Sequence, residues 1–200
     1  MGLSLKIASD FVCPYCYVLE AMLDRLRPEG LEVEYLPFEL TEPPEPQVDT
    51  WGDPERRERY ARELAPLCRD IGLEMCLPPK VIPRPYTRLA FQGLYLAREL
   101  GREEAYVRRV FRGYFEEERD IGDLETLLAL GEEAGIPSAA LREALEEGRY
   151  AEEEREAVRR SREEWGVGMV PTLFLNGRKL EGGAGSLPEL REWLLSGGES

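Results

Sequence analysis

The chain has 200 residues, 42% of them hydrophobic, and a formal net charge of −14 at pH 7. This length is enough for one substantial core, and no stretch approaches the roughly 18 apolar residues of a membrane span. The acidic net charge excludes nucleic acid and anionic membranes as expected partners. Because the sequence contains no histidine, hydrolases with a Ser-His-Asp or Cys-His site and metal centres with histidine ligands are also excluded.

The first predicted element is an apolar strand over residues 3–9, which runs directly into the sequence Cys-Pro-Tyr-Cys at residues 13–16. No charged leader with an apolar stretch precedes the strand, so we expect no export and a cytoplasmic protein. Helical spacing of apolar residues from Cys16 onward predicts that this box opens a helix. Cys13 then occupies the N-cap, and Pro14 takes the first helical position, where its missing N–H costs nothing.

Cys13 is the predicted nucleophile. At the N-cap its sulfur lies at the positive end of the helix dipole, beside backbone N–H groups without an intrahelical partner, and both features favour the thiolate. Cysteines in such positions have pKa values of about 3.5 to 7.5 instead of about 8.5. Cys16, one turn later and facing the core, could close a disulfide with Cys13 and release whatever is attached to it.

Two other interpretations of this cysteine pair are half of a zinc site and plain buried apolar residues. A zinc knuckle usually has a second pair at similar spacing, whereas Cys68 and Cys76 lie eight positions apart. A strand followed by the Cys-Pro-Tyr-Cys sequence and a helix is typical of redox chemistry. We therefore expect no metal site. Four cysteines are too few for a disulfide scaffold, which again favours a catalytic or sensing pair.

Alternating residues at 31–36 predict a second strand, in parallel with the first. The intervening helix should end near Pro28 and Gly30, and the proline-rich residues 37–46 form a connection. Asp53 and the proline after it predict the start of another helix.

Cys68 and Cys76 form a candidate second disulfide. Cys68 lies on the apolar stripe of the helix that begins after Asp53, and Gly72 could turn the chain so that Cys76 approaches it. The simpler interpretation is that both are small hydrophobic residues.

A helical block follows the linker at residues 78–85. Helices are predicted from Thr87, around residues 107–114, from Asp123, from Ser138 and over residues 150–165, without an internal repeat. We therefore predict an all-helical subdomain over residues 51–165, inserted into a domain made of residues 1–50 and 166–200.

The end of the chain returns to strands. Residues 166–175 predict a strand that ends at Asn176-Gly177, a strong hairpin signal. Ser186 begins a capping box that opens the last helix. Pro171 lies at the start of the apolar strand, which suits a strand edge or a cis bond that leaves backbone open for pairing.

This order of elements resembles the thioredoxin fold. With its helical insertion the chain resembles the DsbA family, specifically the branch of FrnE-like and 2-hydroxychromene-2-carboxylate isomerase-like proteins. The resemblance rests on residues 10–17, 37–40, 111–115 with 120–121, and 166–172, and it covers nearly the whole chain. It implies an α/β fold class, a thioredoxin fold with an inserted all-helical subdomain.

The resemblance also implies which residues bind substrate. Pro171 would be the cis-proline that faces the cysteines, and the backbone of Val170 would pair with an extended substrate strand. Pro14 and Tyr15, between the cysteines, complete the expected set. Relatives often carry an Asn-Thr pair followed by Ala-His, where this chain has Tyr-Thr and Ala-Phe within residues 86–91.

The leading hypothesis is a thiol-disulfide oxidoreductase that acts on protein disulfides, in which Cys13 forms a mixed disulfide that Cys16 resolves. Asp10 and Glu39 are candidate carboxylates for a proton relay. Asp10 close to Cys13 would raise the pKa of the thiol, although a turn or cap residue explains it equally well. Glu39 could pass a proton to Cys16 or simply be exposed.

Two alternatives stay open. One is a glutathione-dependent isomerase or transferase of the 2-hydroxychromene-2-carboxylate isomerase or kappa-class type, with glutathione as co-substrate; such relatives commonly have serine where this chain has Cys13. The other is a redox-sensing or binding module without turnover. Expected partners are protein or small-molecule thiols and disulfides, with glutathione or a thioredoxin-type reductant for recycling and no other cofactor.

Overall fold

The computed structural model describes residues 3–26 and 31–197. Its strands are β1 (Leu3–Ser9), β2 (Leu31–Pro37), β3 (Thr172–Leu175) and β4 (Arg178–Glu181). Its helices are α1 (Pro14–Leu26), α2 (Pro54–Ile71), α3 (Arg88–Glu99), α4 (Glu103–Phe115), α5 (Leu124–Glu133), α6 (Ser138–Glu146), α7 (Ala151–Glu163) and α8 (Leu187–Leu195). The helix end predicted near Pro28 and Gly30 lies outside the described residues.

The four strands form one mixed sheet in the order β2-β1-β3-β4. β1 runs parallel to β2, as predicted, and antiparallel to β3, where Ala8 lies opposite Thr172. The β3–β4 hairpin turns at Asn176 and Gly177, which both have positive φ, at 51° and 81°. A type I′ hairpin turn needs positive φ at both central positions, so the predicted Asn-Gly turn is confirmed.

Alternation along the strands divides the apolar side chains between the two faces of the sheet. Leu5 and Ile7 enter the main core together with buried residues of α1 and α8. Ala8, which points the other way, belongs to a smaller cluster with Phe38 and Phe174. Both faces of the sheet are therefore covered, and β1 is buried at its centre.

The helical block α2–α7 separates β2 from β3 in the chain, as predicted. Helices α2 and α4 both contact α1, and α7 contacts β2. The main buried cluster continues from the sheet into the block without interruption. The block therefore packs directly on the part of the sheet from which α1 starts, while the division into two domains stays a prediction.

Aromatic rings hold the segment between β1 and α1 against the helical block. The ring of Phe11 lies 4.9 Å from that of Phe91 and 5.2 Å from that of Phe111, measured between centroids. Tyr17, on α1, stacks on Phe111 at 5.4 Å. Such contacts add to the apolar burial of the rings, so the chain on both sides of Cys13 is fixed by residues of α3 and α4.

Replacement of Asp123 tests the helix caps of the block. Its carboxylate accepts a hydrogen bond from the Thr126 backbone N–H at 2.8 Å and caps α5. We expect Asp123→Ala to lower the free energy of unfolding by about 1 kcal/mol, because an N–H of the first turn loses its partner. Asp123→Asn, which keeps an acceptor oxygen, is the control. Urea unfolding measures both, and an equal loss in the two variants would contradict the capping role.

Candidate active site

The site begins where β1 gives way to α1. The Cys13 backbone N–H donates to the Asp10 carbonyl oxygen at 3.0 Å, and the Cys13 carbonyl oxygen accepts from the N–H groups of Cys16 at 3.1 Å and Tyr17 at 3.3 Å. Cys13 thus precedes the first helical residue, Pro14, at the position predicted from the sequence. Its sulfur lies at the positive end of the helix dipole, where negative charge is stabilised.

A second segment meets the Cys13 sulfur from the other side. The Cys13 thiol donates to the Val170 carbonyl oxygen, with 3.6 Å between sulfur and oxygen. The peptide bond between Val170 and Pro171 is cis. Two segments that lie 157 positions apart in the chain therefore meet at one sulfur atom.

The Cys13 cleft, a surface pocket of about 580 Å³, opens over this sulfur. Four of the predicted site residues line it: Cys13, Pro14, Tyr15 and Val170. Cys16 and Pro171 are not part of its lining. Only 3% of Cys13 is exposed, so a substrate must enter the cleft to reach the sulfur.

Three arginines of the Cys13 cleft escaped the sequence analysis. Arg56 and Arg59 come from α2, and Arg84 comes from the segment before α3 that was predicted only as a linker. The one sequence signal for a site role of Arg84 is its position between Pro83 and Pro85. Proline restricts the backbone on both sides, so the side chain between them is held in one orientation.

Cys16 lies behind Cys13 and is 2% exposed. Burial raises the pKa of its thiol well above the ordinary value, and the neighbouring Cys13 sulfur raises it further, against smaller lowering effects from Ser9 and the Asp10 backbone. Cys16 is therefore a neutral thiol at pH 7, and it must lose its proton before it can attack another sulfur.

Asp10 is fully buried beneath the start of α1. Its carboxylate accepts from the Leu40 backbone N–H at 2.7 Å and from the Val12 N–H at 3.5 Å. Burial raises the pKa of Asp10 to about 6, although these hydrogen bonds, Thr87 and Arg84 act in the opposite direction. Asp10 therefore stabilises the turn between β1 and α1 through these hydrogen bonds, and its carboxyl group titrates near neutral pH.

Glu39 lies in a buried cluster with Glu154 of α7, and neither residue is exposed. Arg88 Nε lies 3.1 Å from a carboxylate oxygen of Glu39 and 3.4 Å from one of Glu154. Burial, followed by the Glu39 carboxylate, raises the pKa of Glu154 to about 9, and Glu42 acts in the same direction. Glu154 is therefore protonated at pH 7 and can donate to Glu39. Arg162 completes the cluster by donating to the Glu39 carbonyl oxygen at 2.6 Å.

Glu154 was not identified from the sequence either. A signal exists, because Glu154 precedes Ala157, Val158 and Ser161 at helical spacing and all four are buried. A carboxyl group on the apolar stripe of a helix is buried and needs a partner or a proton.

The second cysteine pair is not bonded in this structure, where all four cysteines are free thiols. Cys68 is 6% exposed on α2, and the Cys76 N–H donates to the Phe115 carbonyl oxygen at 2.7 Å. Burial raises the pKa of both thiols. Their pairing stays a prediction.

Residues 3–26 and 31–197 contain neither a candidate metal cluster nor a membrane-spanning helix. No group of three or more Cys, Asp or Glu side chains there is arranged to hold a metal ion. No helix in the same ranges is long and apolar enough to cross a membrane.

The mixed sheet in the order β2-β1-β3-β4 and the helix that opens after Cys13 define a protein with a thioredoxin-like fold. Residues 4–194 match the family model of the DSBA-like thioredoxin domain. The chain therefore belongs to this family, and the expected DsbA-type α/β fold is confirmed. It is also 36% identical over 186 residues to the uncharacterized protein YwbO of Bacillus subtilis strain 168, covering 92% of each chain.

Solved structures agree with this fold. The cytosolic disulfide reductase DsbM from Pseudomonas aeruginosa matches with a TM-score of 0.72 at 21% identity, over 97% of this chain and 98% of that one. DsbM has also been solved with GSH. A 2-hydroxychromene-2-carboxylate isomerase matches with a TM-score of 0.69 at 22% identity, over 88% of this chain and 87% of the other. At such identities the likeness concerns the fold alone.

The buried carboxyl pair predicts a pH dependence of stability. The pKa of Glu154 is raised from 4.5 to about 9 in the folded chain, so its stabilising contribution is complete below about pH 4.5 and declines as the pH rises towards 9. We expect the free energy of unfolding to fall between about pH 6.5 and 8.5, by at most about 1.4 kcal/mol per pH unit.

Glu154→Gln should flatten this decline, because the amide cannot ionise. Glu153→Gln, at the exposed neighbouring position of the same helix, should leave it unchanged. Urea unfolding at a series of pH values measures the slopes, and equal slopes for the natural chain and Glu154→Gln would refute the assignment.

Proposed function

We propose that this chain is a thiol-disulfide oxidoreductase with Cys13 as nucleophile and Cys16 as resolving cysteine. The observation that carries the proposal is the position of the Cys13 sulfur, at the start of α1 and 3.6 Å from the Val170 carbonyl oxygen in an open cleft. The helix terminus stabilises a thiolate. The backbone beside it can pair with an extended chain, which would bring a substrate disulfide next to the sulfur.

The reaction balances without a bound cofactor. The Cys13 thiolate attacks one sulfur of a substrate disulfide, a bond forms between them, and the other substrate sulfur leaves as a thiolate that takes a proton from water. The Cys16 thiolate then attacks the Cys13 sulfur and releases the second substrate thiol. The substrate gains two electrons, and Cys13 and Cys16 end as a disulfide.

An external thiol has to return the disulfide to the dithiol, and we propose glutathione or a thioredoxin-type protein for this step. The relative named as a cytosolic disulfide reductase, solved with GSH, supports glutathione and a cytoplasmic setting. The same steps in reverse would oxidise a substrate dithiol, so the reduction potential of the pair decides the direction.

Protein disulfides are the proposed substrates. Pro14 and Tyr15 form one wall of the Cys13 cleft and the Val170 segment forms another. At its rim Leu40 is 39% exposed and Met169 is 51% exposed, so the apolar side chains of an extended peptide would find partners there. We assign Pro171 the role of holding Val170 in the orientation that leaves its backbone open.

Asp10 is the proposed proton acceptor for Cys16. Both groups are buried, the Asp10 backbone adjoins the Cys16 thiol, and the pKa of Asp10, at about 6, leaves it ionised at pH 7. The Glu39 carboxylate is instead engaged by Arg88 and faces Glu154. We therefore propose that Glu39 supports the segment that follows β2, and that the relay runs through Asp10.

A glutathione-dependent isomerase is the second candidate, favoured by the fold likeness to 2-hydroxychromene-2-carboxylate isomerase. That chemistry needs no resolving thiol. Cys16→Ser would therefore abolish disulfide turnover in an oxidoreductase, yet would leave glutathione-dependent isomerisation intact.

Trapping of the mixed disulfide tests the assigned roles. In a background with Cys68→Ala and Cys76→Ala, we expect Cys16→Ser to accumulate a mixed disulfide at Cys13, because no second thiol can release it. Cys13→Ser should form none. Intact-mass measurement after reaction with glutathione disulfide detects the adduct, and continued turnover in Cys16→Ser at the unmodified rate would contradict the mechanism.

The proton relay predicts a pH profile. The rate constant for release of the second thiol should rise with pH through about 6, since the Asp10 carboxylate must be ionised to accept a proton. Asp10→Asn should remove this inflection and lower the rate above pH 6 about a hundredfold. Single-turnover oxidation of the reduced chain by glutathione disulfide measures both. Loss of the inflection in Glu39→Gln but not in Asp10→Asn would move the relay to Glu39.

A further inference from the structure

Disulfide exchange at Cys13 does not account for Arg84, a buried arginine in the same cleft. Only 8% of Arg84 is exposed. One terminal nitrogen donates to the Thr41 hydroxyl at 2.6 Å, whereas the buried Nε has no hydrogen-bond partner. In the described part of the chain, no carboxylate lies within 4.0 Å of its guanidinium group. Arg84 thus holds a buried positive charge without an ion-pair partner.

Two more guanidinium groups line the Cys13 cleft. Arg59 is exposed on α2, lies 5.5 Å from the Tyr60 ring and forms no ion pair with any described residue. Arg56 is paired with Asp53 at 3.2 Å. The lining therefore carries three positive charges in a chain whose net charge is −14.

Acidic groups near Arg84 offset only part of this charge, and the Asp10 carboxylate interacts with it electrostatically without forming an ion pair. Glu45 is the one carboxylate among the residues that line the cleft. Asp10 is buried beneath the start of α1, where it accepts from backbone N–H groups and lies beyond ion-pair distance of Arg84. A negative charge brought into the cleft would therefore meet a net positive lining.

Burial of a guanidinium group without a charged partner is unfavourable. A carboxylate that enters the cleft would offset this penalty, because its two oxygens match the donor geometry of arginine. The same contact would ease the reaction, since a Cys13 thiolate that attacks a negatively charged disulfide otherwise meets charge repulsion.

We propose that the Cys13 cleft selects disulfides that carry a carboxylate, which Arg84 binds, while Arg56 and Arg59 attract it from the rim. This inference rests on the proposed function, because it names the substrate class for the same sulfur. The carboxylate itself does not react. The bond that forms is between Cys13 and a substrate sulfur, the substrate disulfide bond breaks, and the leaving thiolate takes its proton from water.

Three small disulfides with arms of similar length separate charge from size. They are 3,3′-dithiodipropionic acid with two carboxylates, bis(2-hydroxyethyl) disulfide without charge, and cystamine with two ammonium groups. The reduced full chain with Cys68→Ala and Cys76→Ala is mixed with each, and loss of the Cys13 thiol is followed by alkylation and intact mass. We expect the dicarboxylate to react about tenfold faster than the neutral disulfide and cystamine to react slowest. Added salt should reduce the difference.

Variants then assign the preference to Arg84. Arg84→Gln should lower the ratio of the dicarboxylate rate to the neutral rate about tenfold, and Arg84→Lys should keep part of it. Arg57→Gln is the matched control, since Arg57 is exposed on the same helix as Arg59, lies 5.4 Å from the Trp51 ring and does not line the cleft. Its ratio should stay within about twofold of the unmodified chain, because screening weakens a remote charge.

A variant that lowers the reactivity of Cys13 in general slows its reaction with both disulfides equally. The ratio of the dicarboxylate rate to the neutral rate therefore reports only the charge preference. Equal ratios in the unmodified chain and Arg84→Gln would overturn the inference and leave the oxidoreductase assignment in place. Failure of Cys13 to react with any of the three disulfides would overturn the proposed function instead. If Arg84→Gln does not fold, Arg56→Gln combined with Arg59→Gln gives the decision: a lowered ratio supports selection by charge, and an unchanged ratio overturns it.

Discussion

The site depends on one pairing, between the end of β1 and the start of β3. Antiparallel register places Ala8 opposite Thr172, so the residues that follow β1 meet the residues that precede β3. This register brings the Cys13 sulfur within 3.6 Å of the Val170 carbonyl oxygen. Backbone hydrogen bonds and burial on both faces stabilise the pairing, and a slip of one residue would separate the two segments.

Buried carboxyl groups surround this junction and connect it to the helical block. Asp10 accepts a hydrogen bond from the Leu40 N–H, and Glu39, one position earlier, is held by Arg88 of α3 and faces Glu154 of α7. The segment after β2 therefore links the start of α1 to two helices of the block. Thr41 of this segment also accepts a hydrogen bond from Arg84. The segment after β2 therefore positions lining residues of the Cys13 cleft, in addition to those that α2 contributes.

Charge is distributed unevenly over the molecule. Many exposed acidic residues are paired with arginine along the helices, as at Arg159 with Glu156, and such pairs contribute little to stability. The Cys13 cleft has the opposite sign, with three guanidinium groups in its lining. A cleft with a positive lining on an acidic chain attracts anions, and this is the physical basis for the proposed selection of a substrate by its charge.

The sequence by itself determined the main elements and the position of the Cys13 and Cys16 pair at the start of a helix. The strand over residues 3–9, the helix start at Cys13 and the Asn176 turn depend on periodicity, capping and backbone preferences within a few positions. Only the tertiary structure decided the surroundings of Cys13. Arg84 and Glu154 acquire their environment from residues far away in the chain, and burial, which sets their charge state and partners, exists only once the helices have packed on the sheet.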